Sequence, residues 1–154
     1  MNAPIRINLG YRDARAAIHF LVEAFGFREA VAYDNSDDSI GYAELEWPAG
    51  GLVTIHSAEP GKSAVAELAA GARRDGGYPA YSIHIDVDAP DALFTRAVAA
   101  GASVIRKVTD SPQHGTRGFV VADPEGLYWS FGTPLPRLER GPDGRWQPAA
   151  SATG

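Results

Sequence analysis

The chain has no cysteine among its 154 residues. That excludes disulfides, thiolate nucleophiles and sulfur-ligated metals. It also lacks an apolar run long enough to cross a bilayer. The N-terminus has no basic region followed by an apolar stretch, so no secretory signal is expected. A cytoplasmic protein with no membrane partner is the expectation. Positive charge is not in surplus either: 14 Lys and Arg stand against 19 Asp and Glu, a formal net charge of −5. A nucleic-acid binder needs a basic face, so no nucleic-acid partner is expected. No glycine-rich segment links a strand to a helix as phosphate binding requires. No serine sits in a nucleophile elbow. What remains is an ordinary soluble composition, 45% apolar and 21% charged, on a chain long enough for one domain with a real core.

Ile5-Arg6-Ile7-Asn8-Leu9 alternates apolar and polar residues, the period of a half-buried strand. Asp13 is placed to cap a helix. Ala14, Ile18, Leu21, Val22 and Phe25 then recur at helical spacing, and Gly26 stands where a left-handed residue ends such a helix. Strands are predicted over 29–33, 40–47 and 52–56, with turn chemistry at 34–39 and 48–51. Residues 59–80 form a linker with one short helix near 64–70. The pattern then restarts. Ser82-Ile83-His84-Ile85-Asp86-Val87 alternates, Asp88 is placed to cap a helix over 90–100, and Gly101 ends it. Strands follow over 103–109, 118–122 and 127–132.

The two halves are an internal repeat. Asp13-Ala14 aligns with Asp88-Ala89 and Gly26 with Gly101, both at an offset of 75 residues (88 − 13 and 101 − 26). Each half is β-α-β-β-β, and its helix covers only one face of its small sheet. The expected fold is α+β: tandem βαβββ modules forming a curved eight-stranded mixed sheet with both helices on the convex side. One domain spans residues 1–135, with module one at about 4–58, the linker at 59–80 and module two at 81–134. Residues 136–154, rich in Pro, Gly and small residues, are expected to be a flexible tail. Trp146 is the one tail residue placed to dock.

A concave sheet face is a groove lined by every second residue of each strand. Such grooves bind small ligands. Strand phase puts Arg6, Asn8, Leu52, Thr54, His56, Ser82, His84, Asp86, Tyr128 and Ser130 on that side. Leu127, Trp129 and Phe131 pack on the helix.

The paired modules, "RDARAAIHFLVEAFGF", "VDAPDALFTRAVAAGA" and above all "HGTRGFVVADPEGLYWSFGTP" resemble the vicinal oxygen chelate superfamily, the glyoxalase, bleomycin-resistance and extradiol-dioxygenase group. The resemblance covers about residues 4–134. It implies a groove that holds a divalent metal in the enzymes, with ligands on the first and last strand of each module. Those positions fall on Arg6, Thr54, Ser82 and Ser130. None is a strong metal ligand, and Arg6 is a fixed cation. The resemblance is therefore closest to the metal-free, bleomycin-resistance-like branch.

Its implication is a protein that binds a small aromatic or cationic molecule, such as an antibiotic, without a cofactor, as a homodimer. Arg6, Trp47, Thr54, His56, Ser82, His84, His114, Arg117, Tyr128 and Ser130 are the candidate ligand-binding residues. Trp47, Tyr42, Tyr128 and Phe119 are candidates for an aromatic wall. Arg117 is placed to clamp an acidic group or to pair with Asp110 or Asp123. The competing reading is a metal-dependent lyase or dioxygenase using His56 and His84, with Asp86 or Glu44 as a third ligand. A further alternative is a non-catalytic interaction module.

Overall fold

The computed structural model describes residues 5–58 and 82–149. The linker and its expected helix lie outside them. Module one runs β1 (Ile7–Tyr11), α1 (Ala14–Phe20), β2 (Arg28–Asp34), β3 (Ile40–Glu46) and β4 (Leu52–Ser57). Module two runs β5 (Ile83–Asp86), α2 (Pro90–Ala99), β6 (Ser103–Ser111), β7 (Thr116–Ala122) and β8 (Tyr128–Gly132). The sheet orders are β1-β4-β3-β2 and β5-β8-β7-β6, so the repeat in the sequence is a repeat in topology. In each module the first and last strands pair in parallel and the rest antiparallel. The eight expected strands form as two four-stranded mixed sheets.

Asp13 caps α1 as its side-chain oxygen accepts from the Ala16 backbone N–H at 2.9 Å. The helix does not run regularly to Gly26. Its last turn, Leu21–Phe25, is π-helical, and Gly26 follows in the left-handed region at φ 91°. Widening a turn displaces carbonyls from their usual partners. Arg96 of α2 supplies donors, with Nε 2.7 Å from the Glu23 carbonyl and Nη2 3.0 Å from that of Val22. The second cap differs from expectation. α2 has Ala89 at its N-cap position, without a side-chain cap among the described residues, and Pro90 as its first residue. Proline there fixes φ and brings no unsatisfied N–H, so no Asp88 cap is needed.

The core joins the modules. Phe25 lies 5.3 Å from Trp129 and 4.8 Å from Phe131, ring centre to ring centre. Phe119 stacks on Phe131 at 5.2 Å. All four rings are buried, and each contributes roughly 2–3 kcal/mol through removal from water. The Asp-Pro-Glu-Gly turn adds a polar lock. Buried Asp123 accepts from Tyr11 Oη at 2.7 Å, Trp129 Nε1 at 3.1 Å, and the Glu125 and Leu127 N–H groups at 3.0 Å each. Glu125 accepts from the N–H groups of Arg12 and Asp13 at 2.9 and 3.0 Å, just before α1. A turn of module two thus holds the helix start of module one.

Part of the expected tail is structured. Leu138–Arg140 (β9) pairs antiparallel with Trp146–Pro148 (β10) as a hairpin. Pro142, Asp143 and Gly144 supply its turn, with Gly144 at φ 77°. Trp146 is exposed, and the Arg140 guanidinium lies 5.4 Å from its ring centre.

Candidate functional site

The groove side of module one carries a linked set of polar side chains. Asn8, Thr54 and Glu44 stand in one row across β1, β4 and β3. The Thr54 hydroxyl donates to Asn8 Oδ1. Arg6 Nη1 lies 3.3 Å from Tyr42 Oη and 3.5 Å from Glu44 Oε1. Tyr42 donates to Glu44, and that bond, with burial behind it, holds the phenol pKa above its ordinary value. The His56 ring stands edge-on to Tyr42, its Nδ1 3.0 Å from the Gly41 carbonyl. Its Nε2 is buried and has no hydrogen-bond partner among the described residues. Every residue of β4 is buried, so this strand is covered on both faces.

Module two repeats this geometry at an offset of 76 residues (84 − 8 and 130 − 54) with different chemistry. His84 and Ser130 are register partners on β5 and β8. His84 Nδ1 meets Ser130 Oγ, where module one has Asn8 and Thr54. His84 Nε2 lies 3.3 Å from Asp86 Oδ1. The positions equivalent to Tyr42 and His56 are Gly118 and Gly132, themselves partners on β7 and β8. Two bulky side chains are thus replaced by bare backbone. Above it lies a cavity of about 390 Å³ lined by His84, Arg106, Thr109, His114, Ser130 and Leu135, among others. A second cavity, of about 360 Å³, lies between the modules. Ile7, Phe27, Trp47, Val53, Ile83 and Ile85 give it an apolar lining, and His84 and Asp86 border it. His84 faces both.

The structure separates the residues that the sequence grouped. Ser130, His84 and His114 border the groove of module two. Tyr128 is half-buried at the start of β8, and Ser82 is exposed just before β5. Arg6, Thr54 and His56 belong to the polar groove side of module one. Trp47 packs towards the core, 5.2 Å from Phe27 and 6.2 Å from Phe131, and reaches ligand space only through the cavity between modules. The aromatic wall does not form: Phe119 is wholly buried, Tyr42 is in the other module, and Trp47 has the opposite strand phase. Arg117 is engaged by protein carboxylates. Its Nε and Nη2 lie 2.8 Å from the two Asp91 oxygens, and Nη1 lies 2.9 Å from Asp110, not from Asp123. These bonds hold the Asp91 carboxyl below its ordinary pKa.

Three features were not singled out from the sequence. Arg106, on β6, borders the open groove. The Gly118–Gly132 pair forms its floor. The Tyr11–Asp123 bond joins the modules. The second was not within reach, since the 75-residue offset of the sequence repeat aligns the glycines with Ala43 and Ser57, and only the strand register shifts the match by one to Tyr42 and His56.

The four positions where the superfamily's enzymes carry metal ligands do not fit a divalent ion. Arg6 brings a guanidinium held by Glu44 and Tyr42, and the Thr54 and Ser130 hydroxyls have side-chain partners. Among the described residues, no group of three His, Asp or Glu is placed to hold a metal. Imidazole and carboxylate donors are what such an ion needs.

Comparison with known proteins agrees with the fold. Uncharacterised proteins of Mycobacterium tuberculosis (Rv0887c) and Mycobacterium bovis (Mb0911c) are each 36% identical over 127 residues, 80% of this chain. That stretch covers 69% and 78% of those proteins, respectively. The crystal structure of TioX from Micromonospora sp. ML1 superposes with a TM-score of 0.66 at 29% identity, over 87% of this chain and all of that one. A glyoxalase-related enzyme from Fulvimarina pelagi, 24% identical, shares the fold with a TM-score of 0.64 over 97% of this chain and all of its own. Residues 4–131 match the profile of the Glyoxalase/Bleomycin resistance protein/Dioxygenase superfamily, and the chain belongs to that superfamily.

Proposed function

We propose that the protein binds a small molecule in the groove of module two without a metal. The carrying observation is the contrast between the modules: Tyr42 and His56 place side chains on one groove face, while at the equivalent Gly118 and Gly132 the strands approach too closely for a side chain, and a cavity of about 390 Å³ borders Ser130 and His84. The apolar cavity between modules takes an aromatic body against Trp47 and Phe27. The polar end lies over Ser130 and His84. Cofactor-free binding follows from the donor set, in which a guanidinium and hydroxyls occupy the metal-ligand positions. The protein works as a homodimer, with the exposed edge strands β2 and β6 as the available edges.

A thermal-shift panel tests this reading. It uses intercalating and glycopeptide antibiotics and small aromatic acids and amines, in buffer containing EDTA. At least one compound raises the melting temperature, and its shift is reduced in Thr109→Trp, which crowds the groove, or in Ile7→Asp, which charges the apolar cavity. No shift with any compound, or a shift only after metal is added, would overturn it.

A further inference from the structure

We propose that Ser130, His84 and Asp86 form a metal-free nucleophilic site for acyl transfer from small esters that carry a carboxylate. The proposal rests on the binding reading, because the same groove must admit the substrate.

His84 contacts Ser130 through one ring nitrogen and Asp86 through the other. His84 Nε2 lies 3.3 Å from Asp86 Oδ1, an ion-pair distance at which the carboxylate favours a proton on Nε2. That leaves the Nδ1 lone pair facing the Ser130 hydroxyl, which donates to it. A nucleophile, a base within hydrogen-bond reach and a group that orients the base are the parts of nucleophilic catalysis on serine. Their order in space is also productive. Ser130 borders the open groove, His84 stands next, and Asp86 lies beyond it at the cavity between modules.

The sheet register supplies a fourth part. Arg106 pairs with Val120, Val120 with Ser130, and Ser130 with His84. Partners in a register row point to the same face, so Arg106 and Ser130 share the groove, two strands apart. Both border the same cavity. Among the described residues no carboxylate pairs with Arg106, whereas Arg117 nearby is held by two. A free guanidinium beside a nucleophile selects a substrate with a carboxylate. Module one has no such set: Asn8 cannot act as a base, and Gly10 stands where Asp86 would be.

The chemistry balances without an added oxidant or metal. Ser130 Oγ attacks the ester carbonyl carbon as its proton passes to His84 Nδ1. The bond from that carbon to the alcohol oxygen breaks, and the alcohol leaves with the proton from His84. Water then attacks the acyl-Ser130 ester, releasing the acid and restoring the hydroxyl. Ser130 and His84 are the catalytic residues. Asp86 is a positioning residue.

The full-length protein is treated with a fluorophosphonate in EDTA, and its mass and the modified peptide are determined. One phosphonyl adduct on Ser130 is expected. It is absent in Ser130→Ala and forms about 100-fold more slowly in His84→Gln. With the mono-4-nitrophenyl ester of succinic acid, Arg106→Gln raises KM by about tenfold. With uncharged 4-nitrophenyl butyrate the rise in KM is smaller, and an equal rise with both esters would overturn the role of Arg106 in selecting a carboxylate. Asp86→Asn lowers kcat and alters its pH profile, which a purely structural role for Asp86 would not do. If Ser130→Ala does not fold, Ser130→Cys serves instead, and iodoacetamide alkylates it faster with His84 present than with His84→Gln. No adduct on wild-type protein, an adduct that persists in Ser130→Ala, or equal rates with and without His84 overturns the proposal. Retained thermal shifts in an unlabelled protein would remove acyl transfer alone; loss of both would remove the binding reading as well.

Discussion

Asp123 illustrates how much one buried carboxylate can organise. It accepts from Tyr11, Trp129 and two backbone N–H groups, so it links the first strand of module one to the last strand of module two. Asp123→Ala leaves buried donors without an acceptor. Each costs about 1 kcal/mol or more, so the variant should lose about 3 kcal/mol of unfolding free energy in urea. Asn at this position keeps an acceptor oxygen and should recover part of the loss. A loss below about 0.5 kcal/mol for the alanine variant would show that the lock is not structural. The sequence made Trp129 legible as core through strand phase. It gave no sign of Tyr11–Asp123, because the partners are 112 residues apart and only the folded topology brings them together.

At the scale of elements, strand period was legible and strand coverage was not. Alternation placed Ile5, Ile7, Leu9, Ile83, Trp129 and Phe131 inward; the last four are buried, but Ile5 and Ile7, at the open start of the first strand, are exposed. The same alternation placed Thr54, His56 and Ser130 on one kind of face, but the first two are buried and Ser130 is half-buried. Phase tells which way a side chain points, not what lies above it. The π-helical turn escaped the periodic pattern for a related reason, since Arg96, far along the chain, helps hold its carbonyls. Arg96→Ala should therefore destabilise the fold by about 1–2 kcal/mol, measured by chemical denaturation, through loss of two charge-assisted bonds. An unchanged midpoint would leave the π turn self-sufficient. The clamp of Arg117 on α2 makes a pH prediction. The Asp91 carboxyl is held below its ordinary value of 3.8, mainly by its hydrogen bonds to Arg117. A group with a lowered folded-state pKa contributes stability above its unfolded pKa. That contribution is lost as pH falls through the folded value. Arg117→Gln should thus lower the melting temperature at neutral pH and have less effect at about pH 2. An equal effect at both would show that the pair's charge adds nothing.

Over the whole molecule, duplication provided two equivalent grooves and divergence lined them differently. The duplication was legible as a 75-residue offset in the sequence, but the groove strands correspond at 76, a shift that only the register shows. The asymmetry needed the register, because it depends on Gly118 facing Gly132 and on Arg106 sharing their face. The exposed outer strands carry Val104 and Ile105 on β6 and Tyr33 on β2. Light scattering coupled to size-exclusion chromatography should give twice the chain's mass, and Ile105→Lys should shift the distribution towards monomer if β6 is the contact edge. A monomer at all concentrations would contradict the dimer.

The proposed function depends most on a groove that works without a metal. Elemental analysis of the protein purified without chelator tests that directly. A metal-free groove gives less than about 0.1 zinc, manganese, iron or nickel ion per chain, with ligand binding unchanged by EDTA. One ion per chain, lost when His84 or His56 is replaced, would contradict it.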